Sequence, residues 1–168
     1  MTVKEARALA VEYFKRAGIV ITPGEAERIE VADFGLNDLE NTGLQLVTYV
    51  NTERCCAKEM VLFPFQACPE HLHPSINGID GKEETFRCRY GTVYLYVDGE
   101  ETLERKQNPP DGEYTVFHEV VLNPGEQYTI YPGTKHWFKA GENGAVISEF
   151  STKSVDEADI FTDSRVIR

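Results

Sequence analysis

Pro69-Glu70-His71-Leu72-His73-Pro74 is the stretch that decides how this chain folds. Two histidines at i and i+2 on a β-strand project from one face. The chain has only four histidines, and a third, His136, lies far downstream in Tyr131-Pro132-Gly133-Thr134-Lys135-His136-Trp137. Between them stands Glu84, at the start of an alternating segment. Closing a sheet into a barrel brings a strand distant in sequence opposite the first pair. The spacing therefore predicts a shell of His71, His73, Glu84 and His136 around a divalent metal, with one or two positions open for substrate or water. Mixed imidazole and carboxylate donors suit Mn²⁺, Fe²⁺, Co²⁺, Ni²⁺ or Zn²⁺.

Glu83 adjoins Glu84, and the strand period separates them. Glu84, Phe86, Cys88 and Tyr90 share one face, whereas Glu83, Thr85, Arg87 and Arg89 share the other. The first face is the more apolar, so it turns inward and takes Glu84 with it. His118, beside Phe117, reads as a hydrogen-bonded core or surface histidine rather than a ligand.

Outward from these motifs the chain is rich in strand signals. Residues 45–50, 57–63, 85–90, 92–97, 115–122, 127–130 and 145–150 are predicted strands. Tyr90-Gly91, Asp98-Gly99, Asn123-Pro124-Gly125, Pro132-Gly133 and Glu142-Asn143-Gly144 are predicted turns. Many short strands with frequent turns mean a sandwich or a barrel. Ser75 to Lys82 reads as an inserted loop, and Glu100 to Glu113 as a long surface hairpin end.

The N-terminus is different. Ala6, Leu9, Ala10, Tyr13, Phe14 and Ala17 follow helical spacing, and Gly18 stops the helix. A second short helix starts with Thr22 as cap, Pro23 in the first position and Glu25 closing a capping box. Both helices are expected to pack outside the strands.

Composition excludes several classes. A hydrophobic share of 41% with 11% aromatics describes a folded chain rather than a disordered one. A formal charge of −11 disfavours nucleic acid and anionic membrane surfaces, both of which require clustered Lys and Arg. No apolar leader and no run approaching ~18 apolar residues is visible, which predicts a cytoplasmic protein with no membrane partner. Cys55, Cys56, Cys68 and Cys88 lack CxxC spacing and are expected to be buried thiols.

His71-Leu72-His73, with six residues between Glu84 and Gly91, resembles the first motif of the cupin superfamily, and Gly125, Pro132, Gly133 and His136 resemble the second. The interval from His73 to Glu84 is longer than is usual there, and the second motif lacks its trailing Asn. Glu84-Thr85-Phe86-Arg87-Cys88-Arg89-Tyr90-Gly91, Cys56-Ala57-Lys58-Glu59, Thr134-Lys135-His136-Trp137-Phe138 and Asp159-Ile160-Phe161-Thr162-Asp163 are similar to the cupin-type D-lyxose isomerases of bacteria. The resemblance implies an all-β, cupin-like barrel (jelly roll) with short N-terminal helices. A single cupin domain would span 1–168, with a helical segment over 1–40 and a C-terminal tail over 156–168. It also implies interconversion of D-lyxose with D-xylulose and of D-mannose with D-fructose, with Mn²⁺ as the usual metal.

The residues suit that chemistry. Aldose–ketose isomerisation needs a base to take the C2 proton and return it at C1. Lys58, on a strand face with Met60 and Leu62, is the first candidate partner, as base or as a cation holding an oxyanion. Glu149, at the end of the apolar run Ala145 to Ser148, is the second. A metal-assisted hydride shift is the other route. Competing readings are a cupin dioxygenase, a phosphosugar isomerase and a non-catalytic sugar-binding cupin. A homodimer with a small-molecule sugar substrate is expected.

Overall fold

The computed structural model describes residues 1–168. Two helices open the chain, α1 (Val3–Arg16) and α2 (Pro23–Glu27). Nine strands come after them: β1 (Glu30–Ala32), β2 (Leu44–Asn51), β3 (Cys56–Leu62), β4 (Ala67–Leu72), β5 (Glu84–Val97), β6 (His118–Leu122), β7 (Gln127–Ile130), β8 (His136–Ser151) and β9 (Ile160–Phe161). A single 3₁₀ turn, Asp156–Ala158, lies between the last two. No helix is long and apolar enough to cross a membrane.

The architecture hangs on one antiparallel pair. β5 and β8 run together from Glu84 opposite Ser151 to Val97 opposite His136. Each serves two halves of the barrel with its other edge. On β8, Ala145–Ser151 pairs with β3 while His136–Lys139 pairs with β4. On β5, Glu84–Arg87 pairs with β7 and Val93–Val97 with β6. The pair can do this because it bends midway, where the register slips between Cys88 and Tyr90 and again between Gly91 and Val93.

That bend corrects the sequence reading. Tyr90-Gly91 and Glu142-Asn143-Gly144 are not turns between strands; they are kinks within β5 and β8. Gly91 and Gly144 both have positive φ, 71° and 72°. A Cβ on Gly91 would lie 1.9 Å from the Gly144 carbonyl oxygen. A bulge and a turn demand the same left-handed glycine, so composition alone does not separate them.

Two further expectations change. The strand predicted over 115–122 begins at His118. Thr115 and Val116 direct their N–H groups to the buried Glu70 carboxylate instead of to a ladder. The helical segment ends at Glu27, and Glu30–Ala32 joins the sheet edge against Leu44–Leu46. Both capping boxes form: Thr2 with Glu5, and Thr22 with Glu25. The cysteines are all free thiols, three buried as expected, with Cys55 exposed.

Two cores result. Leu46, Met60, Leu62, Phe86, Leu95, Phe138 and Ile147 fill the barrel. Ala6, Ala10, Tyr13 and Phe14 of α1 cover Val47, Val61, Phe63 and Val146 on its outer face. Each large apolar side chain buried there contributes about 1.5–3 kcal/mol, far more than propensity supplies to a helix of 14 residues. Gly91→Ala tests the central bend. The left-handed backbone alone costs about 1–3 kcal/mol for a non-glycine residue, and the clash adds to it. The expected result is a clearly lowered thermal unfolding midpoint; an unchanged midpoint would show that the kink does not need glycine.

Candidate metal centre

The barrel closes where the sequence motifs meet. His71 on β4 lies opposite His136 on β8, and opposite Phe161 of β9 on its other edge. His73 sits just past the end of β4 on the same face, and Glu84 opens β5. All four side chains are buried, His136 completely. One ring nitrogen from each of His71, His73 and His136 lies within 4.8 Å of the others. Glu84 Oε1 stands 3.0 Å from His136 Nε2 and 3.2 Å from His73 Nε2.

The hydrogen bonds behind the imidazoles define what faces inward. His71 Nδ1–H donates to the Pro69 carbonyl at 2.8 Å, and His136 Nδ1–H to the Thr134 carbonyl at 2.9 Å. His73 Nδ1 meets Asp159 Oδ1 at 2.6 Å. With each Nδ1 engaged, the Nε2 atoms turn towards one another, and His73 Nε2 also lies within hydrogen-bonding distance of Glu84 Oε1. His136 Nε2 is buried, and its polar contact is Glu84 Oε1. Three buried imidazole nitrogens and the Glu84 carboxylate converging on one point are a donor set that fits a divalent cation.

Charge is concentrated beside this group. Lys82 Nζ contacts Glu84 Oε2 at 2.6 Å and Glu149 Oε1 at 3.1 Å. Burial opposes both charges, yet Lys82 holds the Glu84 carboxyl well below its usual range. Glu84 and Glu149 in turn hold the Lys82 amine above its own. Burial and the neighbouring imidazoles push His71 far down. Burial also opposes charge on His73, but Asp159 and Glu84 outweigh it and its pKa is pushed up to about 9.

Lys58 and Glu149 are cross-strand partners in the β3–β8 register. Lys58 is buried, and its amine does not reach solvent: it donates to Ser154 Oγ at 3.0 Å and to Asp156 at 2.9 Å. Asp156 also holds Arg168 at 3.1 Å. Lys58, Lys82 and Glu149 line one pocket with His71, His73 and Glu84, walled by Leu46, Met60, Phe86, Phe138 and Phe161. A wider cleft above it shares His73, Lys82 and Asp159 and opens between residues 74–83 and 152–159. His118 is remote from this group and bonds to the Glu100 carbonyl. Trp137 and Tyr96 stack in the core rather than at the pocket.

Sequence reading missed three polar members of the site. Lys82 was within reach of it, because extending the inward period back from Glu84 by two lands there. Asp156 and Asp159 gave no local signal; the Asp159–His73 contact spans 86 residues.

No protein-family model matches the chain. A D-lyxose/D-mannose isomerase of Thermosediminibacter oceani is 65% identical over 169 residues, covering 99% of this chain and 93% of its own. A D-lyxose ketol-isomerase of Cohnella laeviribosi is 61% identical over 168 residues, covering 98% and 92%. Among solved structures, ligand-free L-ribose isomerase of Cellulomonas parahominis aligns with a TM-score of 0.73 at 15% identity, over 96% of this chain and 91% of its own. KdgF from Halomonas sp. aligns with a TM-score of 0.52 at 13% identity, over 77% and 91%. Likeness at these identities is likeness of fold, and it is the cupin-type barrel expected from the motifs.

His136→Ala is expected to remove tightly bound divalent metal from the purified protein while leaving a folded barrel, as read by elemental analysis beside circular dichroism. Metal retained at the wild-type ratio would remove His136 from the ligand set.

Proposed function

We infer the activity from a plain premise: the chain belongs to the family of D-lyxose ketol-isomerases. It is an aldose–ketose isomerase, and its substrates are D-lyxose with D-xylulose and D-mannose with D-fructose. The single observation that carries the chemistry is the convergence of three buried imidazoles and Glu84 beside the ion-paired Lys82 and Glu149. We assign His71, His73, Glu84 and His136 as ligands of a divalent metal, Mn²⁺ by preference. That ion would supply Lewis-acid polarisation of the sugar's C1 and C2 oxygens and offset charge developing on them.

The chain's own groups then divide the proton work. Glu149 is buried, lines the pocket and is held by Lys82 and by Ser151 Oγ at 3.2 Å. It is placed to take the proton from C2 and return it at C1, with the O2 hydroxyl proton passing to O1, so that aldose and ketose balance through an enediol. Lys58 is the cation that stabilises negative charge on the sugar oxygens. Its link to Asp156 keeps it oriented when no sugar is bound. The apolar wall of Leu46, Met60, Phe86 and Phe138 excludes water, which strengthens each of these interactions.

The assay that tests this reading uses metal-stripped protein with D-lyxose, following D-xylulose with and without added Mn²⁺. Turnover restored by metal supports it; turnover indifferent to metal removal would sink the metal assignment. In the same assay Glu149→Gln should lower kcat by about 10²–10⁴-fold, the usual worth of a positioned base. Lys58→Ala should lower kcat with metal content retained. An unchanged kcat in either variant would strike that residue from the mechanism.

We propose further that the enzyme is cytoplasmic, folds as one domain and works as a homodimer. Phe150 supports the last point. It stands in the middle of the sheet, between Ala57 and Thr85 in register, yet is 51% exposed on the outer face. Tyr49 and Val50 are exposed at the end of β2 that joins this face. An apolar patch of this kind suits a second copy of the chain. Phe150→Glu should shift sedimentation from dimer towards monomer, and a variant that remains dimeric would place the interface elsewhere.

A further inference from the structure

The three imidazoles are anchored alike at Nδ1 but not by like partners. His71 and His136 donate to carbonyls two residues away in their own segments, Pro69 and Thr134. His73 alone meets a carboxylate, Asp159, and that carboxylate belongs to the C-terminal tail. The Asp159 side chain is 9% exposed. Its two C-terminal neighbours fix it in place: Ile160 and Phe161 add as β9 to the edge of β4, opposite Leu72 and His71. Phe161 also packs on the His71 ring, with centroids 5.4 Å apart.

We propose that Asp159 is a positioning residue that sets the metal affinity of the site through His73. This inference rests on the metal reading above. A main-chain carbonyl orients an imidazole but carries no net charge. A carboxylate on Nδ1–H fixes the tautomer and also raises the basicity of Nε2. His73 is therefore the strongest nitrogen donor of the three, and its strength is supplied from 86 residues away.

The test is titration of metal-stripped, full-length protein with Mn²⁺, comparing wild type with Asp159→Asn, Asp159→Glu and Asp163→Asn. Asp163 pins the same tail, through Arg165 and the Glu113 N–H, but touches no imidazole. It reports what loosened docking alone does. The expected result is a Kd weakened by about 10–100-fold in Asp159→Asn, partial recovery in Asp159→Glu, and a Kd close to wild type in Asp163→Asn. Thermal midpoints of the metal-free proteins establish that each variant is folded. Wild-type affinity in Asp159→Asn overturns the proposal. So does an equal loss in Asp163→Asn, which would assign the effect to docking of the tail. Failure of the wild-type protein itself to bind Mn²⁺ would overturn the metal reading and this inference together, an outcome distinct from the other two.

Discussion

Everything in this fold is subordinate to burying charge that has no water to answer it. Glu84, Lys82 and Glu149 form a chain of contacts inside the barrel, and three imidazoles point at one end of it. Isolated, any one of these groups would be too costly to desolvate. Together they are tolerable because each lies within hydrogen-bonding reach of an opposite charge or, for the imidazoles, of a prospective cation. Holding them there takes elements from across the chain: β4 for His71, β5 for Glu84, β8 for His136 and Glu149, and the tail for Asp156 and Asp159. The β5–β8 pair is the frame on which they converge, and its glycine bend lets one ribbon serve both halves of the barrel.

How much of this the sequence disclosed depends on the range of each interaction. The convergence of His71, His73, Glu84 and His136 was legible because its members carry rare chemistry at strand spacing: His71 and His73 by the i, i+2 rule, Glu84 over Glu83 by the apolar face it shares with Phe86 and Cys88. The helices were legible because capping boxes are local. The hidden parts involve distant partners or an ambiguous glycine. Gly91 and Gly144 read as turns because a bulge and a turn ask for the same φ. The start of β6 was misplaced because the Thr115 and Val116 amides answer to Glu70, 45 and 46 residues away. Asp156 and Asp159 were not assigned to the site because the groups they hold, Lys58 and His73, lie 98 and 86 residues away.

The site is also asymmetric in its charge. One side is imidazoles and an anion; the other is a pair of amines, Lys58 and Lys82, each tied to a carboxylate. The walls between are apolar, and the opening lies at the rim made by residues 74–83 and the tail. In the proposed reaction a sugar bound here meets fixed dipoles and fixed charges, the condition under which preorganised groups lower a barrier most.

The long strand β8 has a consequence for biogenesis. It pairs with β3, β4 and β5, yet it is completed only at Ser151. During vectorial synthesis the earlier strands emerge from the ribosome without their shared neighbour, exposing the apolar edge residues of β3 and β4 until most of the chain has been made. Contacts of such sequence separation make barrel closure slow and late. The helix α1, which packs against β3 and is synthesised before it, joins strand β2 as tertiary cover available early. It acts as a built-in guard over that nascent surface while the chain waits for its last long strand.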